Sequence, residues 1–295
     1  MTVSVVVPVY NGGALLSRTV PAVLALAGVD EWVWVDDGST DDSAQAVRAL
    51  TAHEPRARLV QQRENTGRGA ARNRGVAETA GDAVVFLDAD AVPPPHAARR
   101  LADALGRGVA SVGRPRSVLT DPGDPYQVYL ANARRGLRPA DAGRSVPWRF
   151  FITCVAAVRR PALAAAGGFD EGVAYGEDFA LACALSRAAP GGLRAADVEV
   201  DLYGVGTLGQ ALENARTFGA ALPALAARCP GAYDLAGVGG AVGSRVLGAL
   251  ARRPAPAWTV RALGRLPASV QTRAVRYLLG HALLAGLHGA RDPTP

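Results

Sequence analysis

The chain has no lysine; all 32 of its basic residues are arginine. With so much alanine beside them, this reads as the bias of a G+C-rich genome rather than a functional choice. The arginines are dispersed and no basic stripe is interleaved with aromatics, which excludes the usual footprint of a nucleic-acid partner. Cysteine is scarce: Cys154, Cys183 and Cys229 are odd in number and lack metal-ligand spacing. Buried free thiols in a reducing compartment are the expectation. His53, His96, His281 and His288 are too scattered to form a cluster. No stretch reaches the roughly 20 apolar residues that span a bilayer. No charged leader with an apolar core and cleavage site precedes the first strand, so the expected location is the cytoplasm. Internal repeats and low-complexity tracts are absent beyond the alanine bias.

What is present fits a folded protein. Of 295 residues, 49% are hydrophobic and 20% charged, which excludes a disordered chain. A net charge of +6 favours phosphorylated substrates or an anionic membrane surface. Thr2 to Val9 is a β-branched run ending in Tyr10-Asn11-Gly12-Gly13, which predicts a strand and a tight turn. Helical spacing over Leu15 to Leu26 is followed by a strand, Trp32 to Val35. Thr40-Asp41-Asp42-Ser43 then offers capping oxygens for a helix over Ala44 to His53. Arg58 to Gln61 reads as a third strand, Gly69 to Thr79 as a helix and Ala83 to Leu87 as a buried strand. This alternation predicts an α/β fold with a parallel, doubly wound sheet. Further on, Val109 to Val112 and Phe150 to Val158 read as strands, and Asp121 to Val146 as a helix with mobile loops. Beyond about residue 205 the pattern is helical: Leu208 to Cys229, Ala241 to Arg252 and Val270 to His288. The expected domains are therefore residues 1–205 and a C-terminal helical appendage, 206–295.

The strongest chemical signal is Asp88-Ala89-Asp90, which closes the apolar run Ala83 to Leu87 and precedes Pro93-Pro94-Pro95. Two carboxylates are thereby placed at the carboxyl end of a strand, where open α/β sheets bind ligands. Hard oxygen ligands suit Mg²⁺ or Mn²⁺ held against a diphosphate. The turns after the first two strands and Glu64-Asn65-Thr66-Gly67-Arg68-Gly69 should share that edge. There Tyr10 would offer an aromatic face, Asp37 a base-reading carboxylate and Arg68 a cationic arm, a set that suits a nucleoside diphosphate. Plainer readings stand beside these. Asp-x-Asp can cap a strand or turn, and Tyr10-Asn11-Gly12 can be an ordinary turn. Asp37 and Glu177-Asp178 can cap helices, and Arg68 can be solvated.

In order and spacing these segments resemble family-2 glycosyltransferases of the GT-A, Rossmann-like fold, whose mostly parallel central sheet is flanked by helices. The matching stretches are Val3 to Asn11, Val35 to Asp41, Glu64 to Gly67, Ala71 to Gly75, Phe86 to Asp90, Arg159-Arg160, Gly167 to Glu171 and Gly176 to Asp178. The resemblance covers residues 1 to about 205. It implies that Pro8, Tyr10, Asn11 and Asp37 hold the nucleobase and ribose of a nucleotide-diphospho-sugar donor. Asp88 would meet the ribose and a divalent metal, Asp90 the metal, and Arg68 the diphosphate. Asp178, with Glu177 beside it, falls where the family carries its general base. The implied reaction is metal-dependent, inverting transfer of a sugar to an acceptor hydroxyl on a glycan, lipid-linked or small-molecule acceptor.

Two departures from that pattern matter. Val155 stands where many members carry Asn, and Asp197 to Tyr203 holds no histidine where many members place a metal ligand; Asp201 is the candidate substitute. Sugar nucleotidyltransferases are a rival class, but their Gly-rich basic loop is missing, since Asn11 to Leu15 has no basic residue. A non-catalytic nucleotide-sugar-binding protein is the other rival. In the appendage, Arg253, Arg261, Arg265, Arg273 and Arg276 flank apolar residues, and Tyr277 to Leu287 is apolar except for His281. An interfacial helix at the inner face of the membrane, a cap over the sheet and a homodimer contact all fit.

Overall fold

The computed structural model describes residues 1–132, 136–173, 175–229, 263 and 268–289. In chain order the elements are β1 (Val3–Val9), α1 (Leu16–Leu24), β2 (Glu31–Asp36), α2 (Ser43–Thr51), β3 (Ala57–Gln61), α3 (Arg68–Ala77), β4 (Ala83–Leu87) and β5 (Ala91–Val92). They continue with α4 (Ala97–Leu105), β6 (Ala110–Ser117), α5 (Pro125–Asn132), β7 (Val155–Arg159), α6 (Arg160–Ala165), α7 (Glu177–Ala188), β8 (Leu193–Leu202), α8 (Leu208–Arg228) and α9 (Ala268–Gly289). Two compact units result. One comprises residues 1–116, 136–172 and 177–204, the other 117–135, 173–176 and 205–295.

The first unit is built on an eight-stranded sheet of order β3-β2-β1-β4-β7-β6-β8-β5. Its β3-β2-β1-β4 half is parallel. Beyond β4 the sheet becomes mixed, because β7 joins β4, β6 joins β7 and β5 joins β8 antiparallel. The first strands read as continuous apolar runs because both faces are covered. Val3, Val5, Val7 and Val9 of β1 join one core with Val85 and Leu87 of β4. Val6, Val84 and Phe86 point to the other, with Phe151, Phe169 and Leu181. The alternation is the period of two expected of a strand.

Several boundaries differ from those expected. β7 begins at Val155, not Phe150, because Trp148–Phe150 forms a single helical turn. β5 and β8 have no counterpart in the expected elements. β8 carries carboxylates at alternate positions, and Asp197, Glu199 and Asp201 pair with Arg100, Arg114 and Arg116. The alternation of Val198 and Val200 with these acids is the period of two of a half-covered strand, so β8 was legible locally although it was not expected. At α2, Asp42 makes no capping bond; Asp41 accepts from the Ser43 and Gly13 N–H groups instead. Cys154 is a free thiol as expected, whereas Cys183 and Cys229 are not free.

The loops after β1 and β2 are tied together. Asn11, at φ 49, accepts from the Thr40 N–H at 2.8 Å, and Gly12 N–H donates to the Ser43 hydroxyl at 2.8 Å. Gly38 has φ +69, and a Cβ there would stand 2.5 Å from the Glu64 carbonyl carbon. Gly38→Ala is therefore expected to cost about 1–3 kcal/mol. An unchanged midpoint in urea unfolding would contradict this packing of the two loops.

The second unit has its own small core, Tyr129, Leu208, Leu263 and Val275, with Tyr126, Leu212, Leu278 and Leu279 against it. The Asp124 carboxylate accepts from Tyr126 N–H at the start of α5 and from Leu208 N–H at the start of α8. Thr207 and Gln210 form a capping box on α8. Among the described residues no helix is long and apolar enough to cross a membrane. Ala241 to Arg252, together with Arg253, Arg261 and Arg265, lies outside the described residues, as does the side chain of Arg273.

Candidate active site

The segments that follow β1, β2, β3 and β4 place Tyr10, Asp37, Arg68 and Asp88 after the carboxyl ends of the parallel strands, as the chain order requires. Arg72 organises the site. It sits on the buried face of α3 with Gly69, Ala71 and Gly75; Ala71 and Gly75 bring this helix close to the first strands, and Gly69 faces Phe169, Asp170 and Glu177. Only 3% of its side chain is exposed. One terminal nitrogen lies 2.8 Å from Asp88 Oδ1, and the other 2.7 Å from Glu177 Oε1. Its guanidinium carbon lies 5.7 Å from the Phe169 ring centroid. A charge this deep is tolerable only when paired, and here it joins the end of β4 to the start of α7.

Glu177 and Asp178 open α7, where the positive end of the helix dipole favours carboxylates. Asp178 Oδ1 also accepts from the Phe179 N–H at 2.7 Å. Burial, and then the charge of Glu177, push the Asp178 carboxyl up to about 6, with Arg72 opposing. Asp90 is likewise raised to about 6, first by burial and then by Asp88, while Gly204 N–H and Arg68 act to lower it. A Cβ at Gly204 would overlap the Asp90 carboxylate, so residue 204 closes one side of that acid. Cys154 feels the same charges. Burial raises its thiol well above the usual range, and Asp88, Asp178 and Asp90 each add to the shift. All three aspartates therefore act electrostatically on one thiol.

The remaining residues divide. Tyr10 is 49% exposed, and its ring is available at the edge. Pro8 is the half-buried end of β1. Asp37 is only 3% exposed. It accepts from Gln62 Nε2 at 2.6 Å, Thr66 N–H at 2.8 Å and Gly67 N–H at 3.0 Å. It thus shapes the loop that carries Arg68, and it caps no helix. Asn11 is spent on the turn described above. Asp201 is paired with Arg116 at 2.6 and 2.7 Å. Among the described residues no three His, Cys, Asp or Glu side chains form a metal centre. Asp88 and Asp90 are a pair, and two carboxylates plus substrate oxygens are a usual complement for Mg²⁺.

The profile of glycosyl transferase family 2 matches residues 4–166, more than half of the chain. The chain belongs to glycosyl transferase family 2. It is 40% identical over 124 residues to an undecaprenyl-phosphate 4-deoxy-4-formamido-L-arabinose transferase of Pseudomonas aeruginosa, covering 40% of this chain and 37% of that protein. Identity to an uncharacterized glycosyltransferase of Nostoc sp. is also 40%, over 106 residues, covering 36% of this chain and 33% of the relative. The chain thus spans little more than a third of these relatives. In fold it is similar to a mannosyltransferase of Pyrobaculum calidifontis solved with GDP-Man and Mn²⁺, at TM-score 0.63 and 23% identity over 99% of this chain and 88% of that one. It is also similar to Staphylococcus aureus TarS in complex with UDP-GlcNAc, at TM-score 0.60 and 14% identity over 100% and 93%. The GT-A architecture expected from the sequence is the one found.

Sequence reasoning assigned no role to Arg72, Cys154 or Gly204. Arg72 was detectable, because it is the one charged residue on a helix face otherwise made of Gly69, Ala71 and Gly75. An arginine on such a face needs carboxylate partners, and Asp88 and Glu177 lie 16 and 105 residues away.

Proposed function

We propose that this family-2 protein transfers a sugar from a nucleotide-diphospho-sugar to an acceptor hydroxyl by a single displacement with inversion. The observation that carries the reading is the Arg72 bridge between Asp88 and Glu177, with the raised carboxyl of Asp178 beside it. Residues 1–205 act as the catalytic domain and 206–295 as a helical appendage. Tyr10 stacks on the nucleobase, with Pro8, Asn11 and Asp37 shaping its loop, and Arg68 reaches the diphosphate. Asp88 and Asp90 fit a divalent cation, since two neighbouring acids, one of them raised to about 6 by burial and then by the other's charge, are what such an ion relieves. When bound, the cation would offset charge on the diphosphate leaving group. Asp178 takes the acceptor proton as that oxygen attacks the anomeric carbon. A carboxyl near pH 6 is basic enough to accept it and is largely ionised at neutral pH. No second nucleophile is needed, unlike a double displacement.

A screen of UDP-, dTDP- and GDP-sugars with Mn²⁺ tests the reading, because selective binding raises the melting temperature. Asp90→Asn should abolish the cation-dependent part of that shift and lower turnover at least about a hundredfold. Equal shifts in both proteins would overturn the assignment of Asp90.

A second reading changes only the acceptor. The Pseudomonas aeruginosa relative carries undecaprenyl phosphate in its name, and a phosphate acceptor is already ionised. It would need no base at residue 178 and would bring the protein to the inner face of the membrane. Pelleting with anionic vesicles decides whether such contact occurs.

A further inference from the structure

We propose that Arg18, whose guanidinium lies over the Tyr203 ring, is a phosphate-binding residue that contacts the donor diphosphate on the Asp90 side of the site. This rests on the reading above and adds a residue that none of the recognised motifs contains. Arg18 lies on the exposed face of α1, the helix that follows the β1 turn. Its guanidinium carbon stands 4.6 Å from the Tyr203 ring centroid. Tyr203 is in turn fixed beside the aspartates. Its N–H donates to the Asp90 carbonyl at 3.0 Å, extending the ladder in which Ala91 faces Leu202.

Three features favour a ligand over a structural role. First, several other arginines of this unit are paired with carboxylates: Arg72 with Asp88 and Glu177, Arg116 with Asp201, Arg100 and Arg114 with Asp197. Arg18 forms no ion pair among the described residues, and its described contact is the aromatic face. Second, a guanidinium stacked on a ring keeps its N–H donors in one plane pointing outward, the geometry that matches phosphate oxygens. Stacking also restrains a long side chain before any ligand arrives, which lowers the entropy lost on binding. Third, the neighbouring acids outnumber their fixed cations. Asp88, Asp90, Glu177 and Asp178 face Arg72 and Arg68, so a diphosphate entering with its cation needs a further positive group on the Asp90 side.

The position has a consequence for the cation. Residues 197–203 contain no histidine, and Asp201 is committed to Arg116. Beside the Asp90 backbone, this chain presents Tyr203 with Arg18 upon it. Arg18 therefore shares with the cation the task of neutralising the diphosphate.

The test is calorimetric titration of full-length protein with the nucleoside diphosphate (UDP, dTDP or GDP) that shifts the wild type most, and with inorganic pyrophosphate, each at several Mn²⁺ concentrations. Arg18→Ala should weaken both probes about ten- to a hundredfold, the usual worth of a charge-assisted contact. It should also raise the Mn²⁺ concentration needed for half-maximal binding. Tyr203→Phe keeps the ring and should stay within about twofold of wild type, whereas Tyr203→Ala should lose part of the affinity. Arg18→Lys, with a point charge and no planar fork, should fall between. Unliganded melting temperatures identify any variant that fails to fold, and exposed Arg18 is not expected to. If wild type and Arg18→Ala bind both probes equally at every Mn²⁺ concentration, the assignment is wrong while the transferase reading stands. If the wild type binds none of the diphosphates, the reading itself fails and this inference with it.

Discussion

Arg72→Ala is expected to destabilise the protein by about 3–5 kcal/mol and to abolish transfer, the largest structural effect of any single substitution in the site. The size follows from what is left behind. Glu177, with an 8% exposed side chain, would lose the cation 2.7 Å away and remain beside Asp178. Breaking a buried pair by removing one partner costs that much, because the survivor is an uncompensated charge. Arg72→Lys should recover only part of the loss, since one ammonium cannot span Asp88 and Glu177 as two guanidinium nitrogens do. Urea unfolding of the three proteins, with unchanged slopes, gives the numbers directly. A loss below about 1 kcal/mol in Arg72→Ala would mean that the bridge does not hold α3, β4 and α7 together.

For Asp178→Asn the expected loss of turnover is about 10²–10⁴-fold with donor affinity retained, the range found when a general base is removed. At saturating donor and cation, wild-type turnover should rise with pH through about 6 as Asp178 ionises, and the variant should lack that limb. Stability runs the other way. The folded carboxyl holds its proton up to about 6, against 3.8 for the ordinary aspartate, so acid favours the fold at this group. That contribution is lost as pH rises between those values. The asparagine variant should therefore be at least as stable as the wild type above pH 6, with repulsion from Glu177 removed. A small activity loss would select the phosphate-acceptor reading, in which the nucleophile needs no base. Donor-binding variants such as Asp90→Asn would still be impaired in that case, so the two outcomes separate cleanly.

Much of the parallel half of the sheet was legible because its strands are short, largely apolar and separated by turn residues. Val3–Val9, Glu31–Asp36 and Ala83–Leu87 lie within a residue or two of their expected places. The mixed half was harder to read. In β8 the alternation of Val198 and Val200 with Asp197, Glu199 and Asp201 was readable as a strand, but its pairing with arginines on α4 and β6 leaves no local trace. Asp37 shows the same limit within the site. Its position at a strand end was readable, but its bonds to Gln62, Thr66 and Gly67 connect segments 25 to 30 residues apart.

Sequence alone determined the order of strands and helices in the first ninety residues, the placing of Asp88 and Asp90 at a strand end, and the family resemblance. These depend on local periodicity and turn chemistry, which act over a few residues. Tertiary structure alone decided that Arg72 bridges Asp88 and Glu177, that Asp201 is taken by Arg116, and that Arg18 rests on Tyr203. Each depends on which side chains meet across the fold, and the strength and sign of an electrostatic contact are set by distance and burial rather than by position along the chain.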